Sequence, residues 1–385
     1  MKQLYIFNPD HDLALASNSE YYDAPKSAKI FETDFALLPL WYGESESEVF
    51  ANSLENEWFD ETKKLFPQME SRKIVSAFTN VKISPWGWNK TIRRTCEKNG
   101  CSLLPMLQEL DDLRILQHRK LSILATKYLS DLKNENLHLA NPASLLSAYE
   151  IDEFVEKHPF SIFKAPWSGS GKGIVRSLGS LSENLNNRIC NVAKSQGSVV
   201  AEPLYDVVQD FAMEFYCEKG TCSFAGYSWF FTNEHGAYLG NLLATDEVIA
   251  TKLSQWISLH DLERIKNKMM AFLNENVAAK YSGFLGVDMF VYQQDGNFFV
   301  HPCVEINLRM TMGLVARLFY DKYVKNGETG TYMVDFYQNS NDLLADHLQK
   351  SQQQLVVVDG KIQKGYVSLN PIHENTHYRA RVELL

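Results

Sequence analysis

The sequence is short of positive charge. Its 38 lysines and arginines face 47 aspartates and glutamates, for a formal net charge of −9, which leaves no basic footprint for nucleic acid or an anionic membrane. Long apolar runs are missing too. The opening MKQLYIF gives way at once to Asn8, Asp10, His11 and Asp12, too short a run for a signal peptide or a membrane span. Cysteine is sparse and scattered, at Cys96, Cys101, Cys190, Cys217, Cys222 and Cys303, and no histidines at zinc-like spacing accompany the two pairs spaced five apart. These thiols are expected to be reduced, in a cytoplasmic protein. No internal repeat or low-complexity segment is present. What remains is a globular composition, 45% hydrophobic and 12% aromatic over 385 residues, enough for two or three packed units.

The first hundred residues alternate apolar strand-like runs, LYIFNP, DFALLPLWY and KISPWGW, with helix-like stretches from Glu44 to Phe66 and in TIRRTCEKNG, the latter closed by Gly100. That alternation predicts a small α/β domain with a mainly parallel sheet, whose ligands sit beyond the carboxyl ends of the strands. Asn8, Asp10, His11, Asp12, Trp86, Trp88 and Arg93 fall there and are candidates for a second-substrate site. From Leu110 a helical run, DDLRILQHRKLSILATKYL, is followed by a second helix in SAYEIDEFVEKH and the strand SIFKAP. Ser180 and Glu183 read as a capping box opening a helix that Gly197 ends. SVVAEPLYD, DFAMEFYC, TCSFAGYSWFF and AYLGNLL read as strands, with a turn at Lys219-Gly220. A long helix is expected from Asp246 to Val277, and the tail carries a helix near Asn341 to Gln352 and a hairpin turning at Asp359-Gly360.

Two stretches carry chemistry. Residues Gly283 to Gly313, GFLGVDMFVYQQDGNFFVHPCVEINLRMTMG, read as a β-hairpin turning at Asp295-Gly296. Strand periodicity puts Cys303, Glu305, Asn307 and Arg309 on one side and the apolar Val304, Ile306 and Leu308 on the other. Glu305 and Asn307 can converge on one ion, with Asp288 reaching it from the partner strand. Three hard oxygen donors suit Mg²⁺ or Mn²⁺ rather than zinc, and such an ion usually takes phosphate oxygens as its remaining ligands. Taken alone, a solvated polar strand face explains the pattern as well.

The second stretch is the loop Ser168-Gly169-Ser170-Gly171-Lys172-Gly173, which follows Lys164 at the end of an apolar strand. Alternate glycines let backbone N–H groups approach phosphate, and the two lysines add charge. It is not a Walker loop, which needs Ser or Thr where Gly173 stands and Gly where Pro166 stands. Nor is it a dinucleotide fingerprint, because the extended Ile-Val-Arg follows instead of a helix. It reads as a flap between two strands.

In this order, FKAPWSGSGKG, VVAEPLYDVVQDFAMEF, and GVDMFV with VEINLRMTMG resemble the ATP-grasp ligases over roughly residues 110 to 320. The resemblance implies an α+β architecture. An α/β domain (1–110) precedes two α+β subdomains with antiparallel sheets (111–197 and 198–330) that clamp the nucleotide, and a helix and hairpin extension (331–385) follows. It implies ATP as nucleotide, with Lys164 on its phosphates and Ser168 to Gly173 as the closing flap. Glu202, Pro203 and Leu204 become the linker that meets adenine, and Asp210 the ribose ligand. Asp288, Glu305 and Asn307 fall on the metal positions, and Arg309 on the arginine that steadies the reacting carboxylate or its intermediate. The family's helix lysine ahead of the flap is assigned to Lys120, with Arg119 as the alternative. The implied activity is attack of a small-molecule or peptide carboxylate on ATP to give an acylphosphate, captured by an amine or a thiol. The alternatives are a phosphotransferase of the same fold and a nucleotide-binding protein that has lost turnover.

Overall fold

The structure, a computed structural model, describes residues 2–79, 81–168 and 173–384. Strands β1 (Gln3–Ile6), β2 (Glu48–Phe50), β3 (Lys73–Val75) and β4 (Lys82–Pro85) form a parallel sheet in the order β3-β2-β1-β4. Alternation along β1 sends Leu4 and Ile6 to one face, against Ile83 and the helix Lys90–Lys98, and Tyr5 and Phe7 to the other. The strand expected in DFALLPLWY is instead helical at Pro39–Tyr42. Proline suits the first helical position, where no N–H is needed, and Leu38, Leu40 and Trp41 are buried on every side, so the apolar run does not reveal its period. The helix expected from Glu44 to Phe66 is confined to Asn56–Leu65, because β2 takes up its first part.

The expected single helices are broken in two further places. Leu107–Leu116 and Lys120–Leu129 are separate, as are Asp246–Leu253 and Leu259–Asn276. Ser258 caps the last of these by accepting the Asp261 N–H at 3.0 Å. The cap of the helix Glu183–Gln196 is Ser182, not Ser180, and Gly197 ends it in the left-handed conformation.

A second sheet contains β5 (Ser144–Leu146), β6 (Phe160–Lys164), β7 (Ile174–Leu178) and β8 (Val199–Pro203), antiparallel in the order β5-β8-β6-β7. Lys164 pairs with Ile174 across the mouth of the β6–β7 loop. The third sheet holds β9 (Asp206–Glu218), β10 (Thr221–Thr232), β11 (Tyr238–Leu243), β12 (Gly283–Gln294), β13 (Asn297–Asn307), β14 (Gly330–Phe336), β15 (Val356–Val358), β16 (Lys361–Ser368) and β17 (Tyr378–Leu384). Its order is β13-β12-β9-β10-β11-β14-β17-β16-β15, so the strands of residues 331–385 continue the same sheet. Phe211, Met213 and Phe215 of β9, with Leu285, Val287 and Met289 of β12, bury one face against the helices Lys120–Leu129 and Leu259–Asn276. The opposite face carries the polar residues between them.

Cys217 and Cys222 are joined in a disulfide, which overturns the expectation of six free thiols. The tight turn at Lys219-Gly220 sets the two directly opposite across the β9–β10 ladder. Among the described residues no helix is long and apolar enough to cross a membrane.

Candidate functional site

The site grows from the β12–β13 hairpin. Asp295 and Gly296 both take positive φ, 50° and 78°, the backbone a two-residue turn needs to match strand twist. The register then sets Gly286 opposite Asn307 and Asp288 opposite Glu305, but it shifts between Asp288 and Phe290, which faces His301. This bulge corrects the simple alternation expected for β13: Cys303 turns into the core while Val304 packs with Tyr205 and Phe290. Asp288, Glu305 and Asn307 remain together on the polar face, and the Asn307 amide donates to Asp288 Oδ2 at 2.9 Å.

Burial, then the Glu305 carboxylate opposite, pushes the Asp288 carboxyl up to about 7. Glu305 is raised as well, by burial, against the pull of Arg119. A third carboxyl, Glu214 of β9, lies on the same face beside Gly286. It is buried, and that burial followed by Asp288 raises it well above the carboxylate range. Gly313 is required here, since a Cβ at that position would sit 2.4 Å from Glu214 Oε1. The donor set of two facing carboxylates with an amide oxygen fits a hard divalent cation, whose charge would relieve the repulsion between Asp288 and Glu305.

Two cations approach from other elements. Arg119, in the break between Leu107–Leu116 and Lys120–Leu129, is buried and reaches Glu305 Oε1 at 2.9 Å. It also donates to the Ala165 carbonyl at 2.9 Å and to the Ser168 carbonyl and hydroxyl at 3.3 Å each, tying the metal face to the start of the glycine loop. Lys120 is exposed. The loop residues Gly169, Ser170, Gly171 and Lys172 lie outside the described residues. Ser168 and Gly173 flank them, the latter at φ 85°.

Lys164 is buried against Glu202, which also accepts from His301 Nε2 at 2.9 Å. Burial opposes ionisation of Glu202, but Lys164 and His301 outweigh it and hold the carboxyl far below its ordinary range. Pro203 ends β8, and the Leu204 N–H donates to the Phe160 carbonyl at 3.0 Å. Asp210 lies within β9, accepts from Thr232 Oγ1 at 2.8 Å, and is raised by burial. It stands opposite Phe290, on the same sheet face as Asp288.

The amino-terminal candidates divide. Asn8 clips β1 to β4 through Gly87, Trp86 packs on Phe7, and Arg93 donates to the Pro105 carbonyl at 2.7 Å. Trp88 is partly buried at the edge of the large core. Asp12 instead reaches across 297 residues of sequence to Arg309, with Nε–Oδ1 at 3.1 Å and Nη2–Oδ2 at 2.7 Å. Burial would raise the Asp12 carboxyl, but Arg309 lowers it further. His11 is buried, with Gln117 Oε1 at 3.0 Å from Nε2 and Asn89 at 3.4 Å from Nδ1. Asp10 is raised by burial and by Asp12, and Glu32 is pushed up to about 7 by burial and Asp10.

Glu214 was not singled out from the sequence, although an acidic residue in the middle of the apolar run DFAMEFYC is itself a signal. Arg119 was left as the second choice. Its helical neighbours at three and seven residues' distance, Ser122 and Thr126, are buried, and that face points inward.

Comparison of the sequence with protein-family models and with curated proteins finds no match. Among solved structures, the chain is similar to a biotin carboxylase from Campylobacter jejuni in a β,γ-ATP complex. The TM-score is 0.51 at 10% identity, covering 100% of this chain and 87% of that one. An ADP complex of N5-carboxyaminoimidazole ribonucleotide synthetase aligns over 100% of this chain and 92% of its own, at 12% identity and a TM-score of 0.49. The first likeness, together with the sheets just described, defines the class: the chain has the α+β ATP-grasp fold.

Proposed function

We propose that the protein is an ATP-dependent ligase that activates a small-molecule or peptide carboxylate as an acylphosphate, for capture by an amine or a thiol. The observation that carries this reading is the set Asp288, Glu305 and Asn307 on one sheet face, with Arg119 and Arg309 at its flanks and the Lys164 loop mouth across from it. The similar biotin carboxylase was solved as an ATP complex, and the polar face here meets the chemical demands of a nucleotide triphosphate.

In this reading Asp288, Glu305 and Asn307 hold Mg²⁺ or Mn²⁺, which when bound neutralises charge on the β- and γ-phosphates. Lys164 leaves Glu202 in part to meet the phosphates. Glu202, Pro203 and Leu204 line the adenine end, and Asp210 accepts from the ribose hydroxyls. Arg119 takes the role first given to Lys120, since it joins the metal face to the loop base. Ser168 and Gly173, which flank the glycine loop, stand at the phosphate end, with Arg119 holding Ser168. Arg309 donates to the transferring phosphoryl group as the carboxylate attacks phosphorus and ADP leaves. The acylphosphate carbon is then attacked by the amine, with phosphate departing. Nucleic acid and membrane have no part in this chemistry.

A hydroxylamine trap tests the proposal. A panel of carboxylates with Mg·ATP should yield one that gives an ATP-dependent hydroxamate and stoichiometric ADP. Phosphate moved to a stable acceptor with no hydroxamate would identify a phosphotransferase instead.

A further inference from the structure

The Asp12–Arg309 pair joins the first turn of the helix His11–Ser17 to the residues that follow β13, the strand that carries two of the candidate metal residues. Both side chains are largely buried, 16% and 14% exposed. An arginine has five N–H donors. Nε and Nη2 are engaged by the two Asp12 oxygens in a bidentate fork, and Nη1 donates to the Met310 carbonyl at 3.1 Å. One N–H on each terminal nitrogen is left. Arg309 lies two residues past Asn307, with its backbone N–H donating to the Asn307 carbonyl at 2.9 Å, so the guanidinium stands at the end of the strand that carries two of the candidate metal residues.

Asp12 is itself held from behind. Gly87 lets the His11 ring pack where a Cβ would come within 2.6 Å of it, and Gln117 and Asn89 hold both ring nitrogens. Gln117 is two residues from Arg119. The Arg309–Met310 backbone docks on the same edge, where the Met310 N–H donates to the Trp86 carbonyl at 3.0 Å. The segment His11-Asp12 thus contacts Arg309 directly and, through Gln117, the helix break in which Arg119 lies.

We propose that Asp12 is a positioning residue: it fixes Arg309 so that its two remaining N–H groups meet the γ-phosphoryl end of the nucleotide, and the amino-terminal domain thereby completes the phosphoryl-transfer site. The inference rests on the proposed nucleotide site. It also follows that Arg309 cannot offer its Nε–Nη2 fork to a substrate carboxylate while Asp12 occupies it.

The test compares dissociation constants for Mg·ADP and Mg·AMP-PNP by calorimetry, in the full-length wild type, Asp12→Asn, Asp12→Glu, Arg309→Lys and the Asp12→Asn/Arg309→Lys double variant. The wild type is expected to prefer Mg·AMP-PNP by about tenfold, the worth of a charge-assisted hydrogen bond or two. Asp12→Asn should cut that preference to about twofold or less while Mg·ADP affinity stays within about twofold. Asp12→Glu should fall between, and the double variant should match Arg309→Lys. A preference kept intact in Asp12→Asn, or equal losses for both nucleotides, would overturn the inference, the second result marking a merely structural ion pair. Should Asp12→Asn fail to fold, Asp12→Glu decides: a lowered preference supports positioning and an unaltered one refutes it. A wild type that binds Mg·ADP without preferring the triphosphate analogue also refutes it. A wild type that binds neither nucleotide overturns the proposed function and this inference together.

Discussion

Asp288 and Glu305 stand directly opposite one another across the β12–β13 ladder, both partly buried and both facing the polar side of the sheet. Like charges directly opposite destabilise an antiparallel pair. The fold carries that cost beside the point where the hairpin register shifts.

The pair makes metal binding pH-dependent. In the metal-free protein Asp288 titrates near 7, raised from 3.8. The folded state therefore favours its protonated form, and its contribution to stability is largest below the unfolded value, declines as pH rises toward 7 and is flat above. An ion requires the carboxylate and displaces that proton. Mg²⁺ affinity should fall about tenfold per unit below pH 7, and the rise in melting temperature caused by Mg²⁺ should be larger at pH 8 than at pH 6. A thermal-shift series at both pH values checks it, and an equal rise at both would refute it.

Glu305→Gln and Asn307→Ala should each reduce ATP turnover by at least about 100-fold. Their stability costs should differ. Glu305→Gln leaves the buried Arg119 without its carboxylate, a loss of up to about 3–5 kcal/mol, whereas Asn307→Ala removes a single hydrogen bond worth about 1 kcal/mol. Coupled phosphate release and urea unfolding measure the two effects separately.

Lys164→Met should weaken Mg·ATP binding about 10- to 100-fold. Glu202 keeps His301 as a partner, so melting temperature should drop less than in Glu202→Ala, which leaves the buried Lys164 and His301 without their shared carboxylate. An unchanged nucleotide dissociation constant would remove Lys164 from the site.

Arg119→Met should lose more nucleotide affinity than Lys120→Met, because only Arg119 touches both Glu305 and the loop base. Equilibrium titration of both variants with Mg·ATP gives the order, and the reverse order would restore Lys120 to the role.

The hairpin was legible because Asp295-Gly296 fixes its turn, and the shared face read from it holds for Asp288, Glu305 and Asn307. The strands around Lys164 and Glu202 were readable as the short apolar runs in SIFKAP and SVVAEPLYD. The bulge that sends Cys303 inward was not, since the two extra residues on β13 leave no mark in the apolar–polar pattern. The Cys217–Cys222 bond was within reach: once Lys219-Gly220 is a two-residue turn, the two cysteines must oppose each other. DFALLPLWY failed because a segment buried on all sides has no polar face to show its period. Asp12 and Arg309, 297 residues apart, meet where the helix His11–Ser17 lies against the residues that follow β13, which no local pattern records.

The central claim is that Asp288, Glu305 and Asn307 hold the metal of a metal–nucleotide complex. Calorimetric titration with AMP-PNP across a Mg²⁺ series, in the wild type and in Asp288→Asn/Glu305→Gln, tests it most directly. Nucleotide affinity should rise with Mg²⁺ in the wild type and lose that dependence in the double variant. The same Mg²⁺ dependence in both proteins would contradict the account.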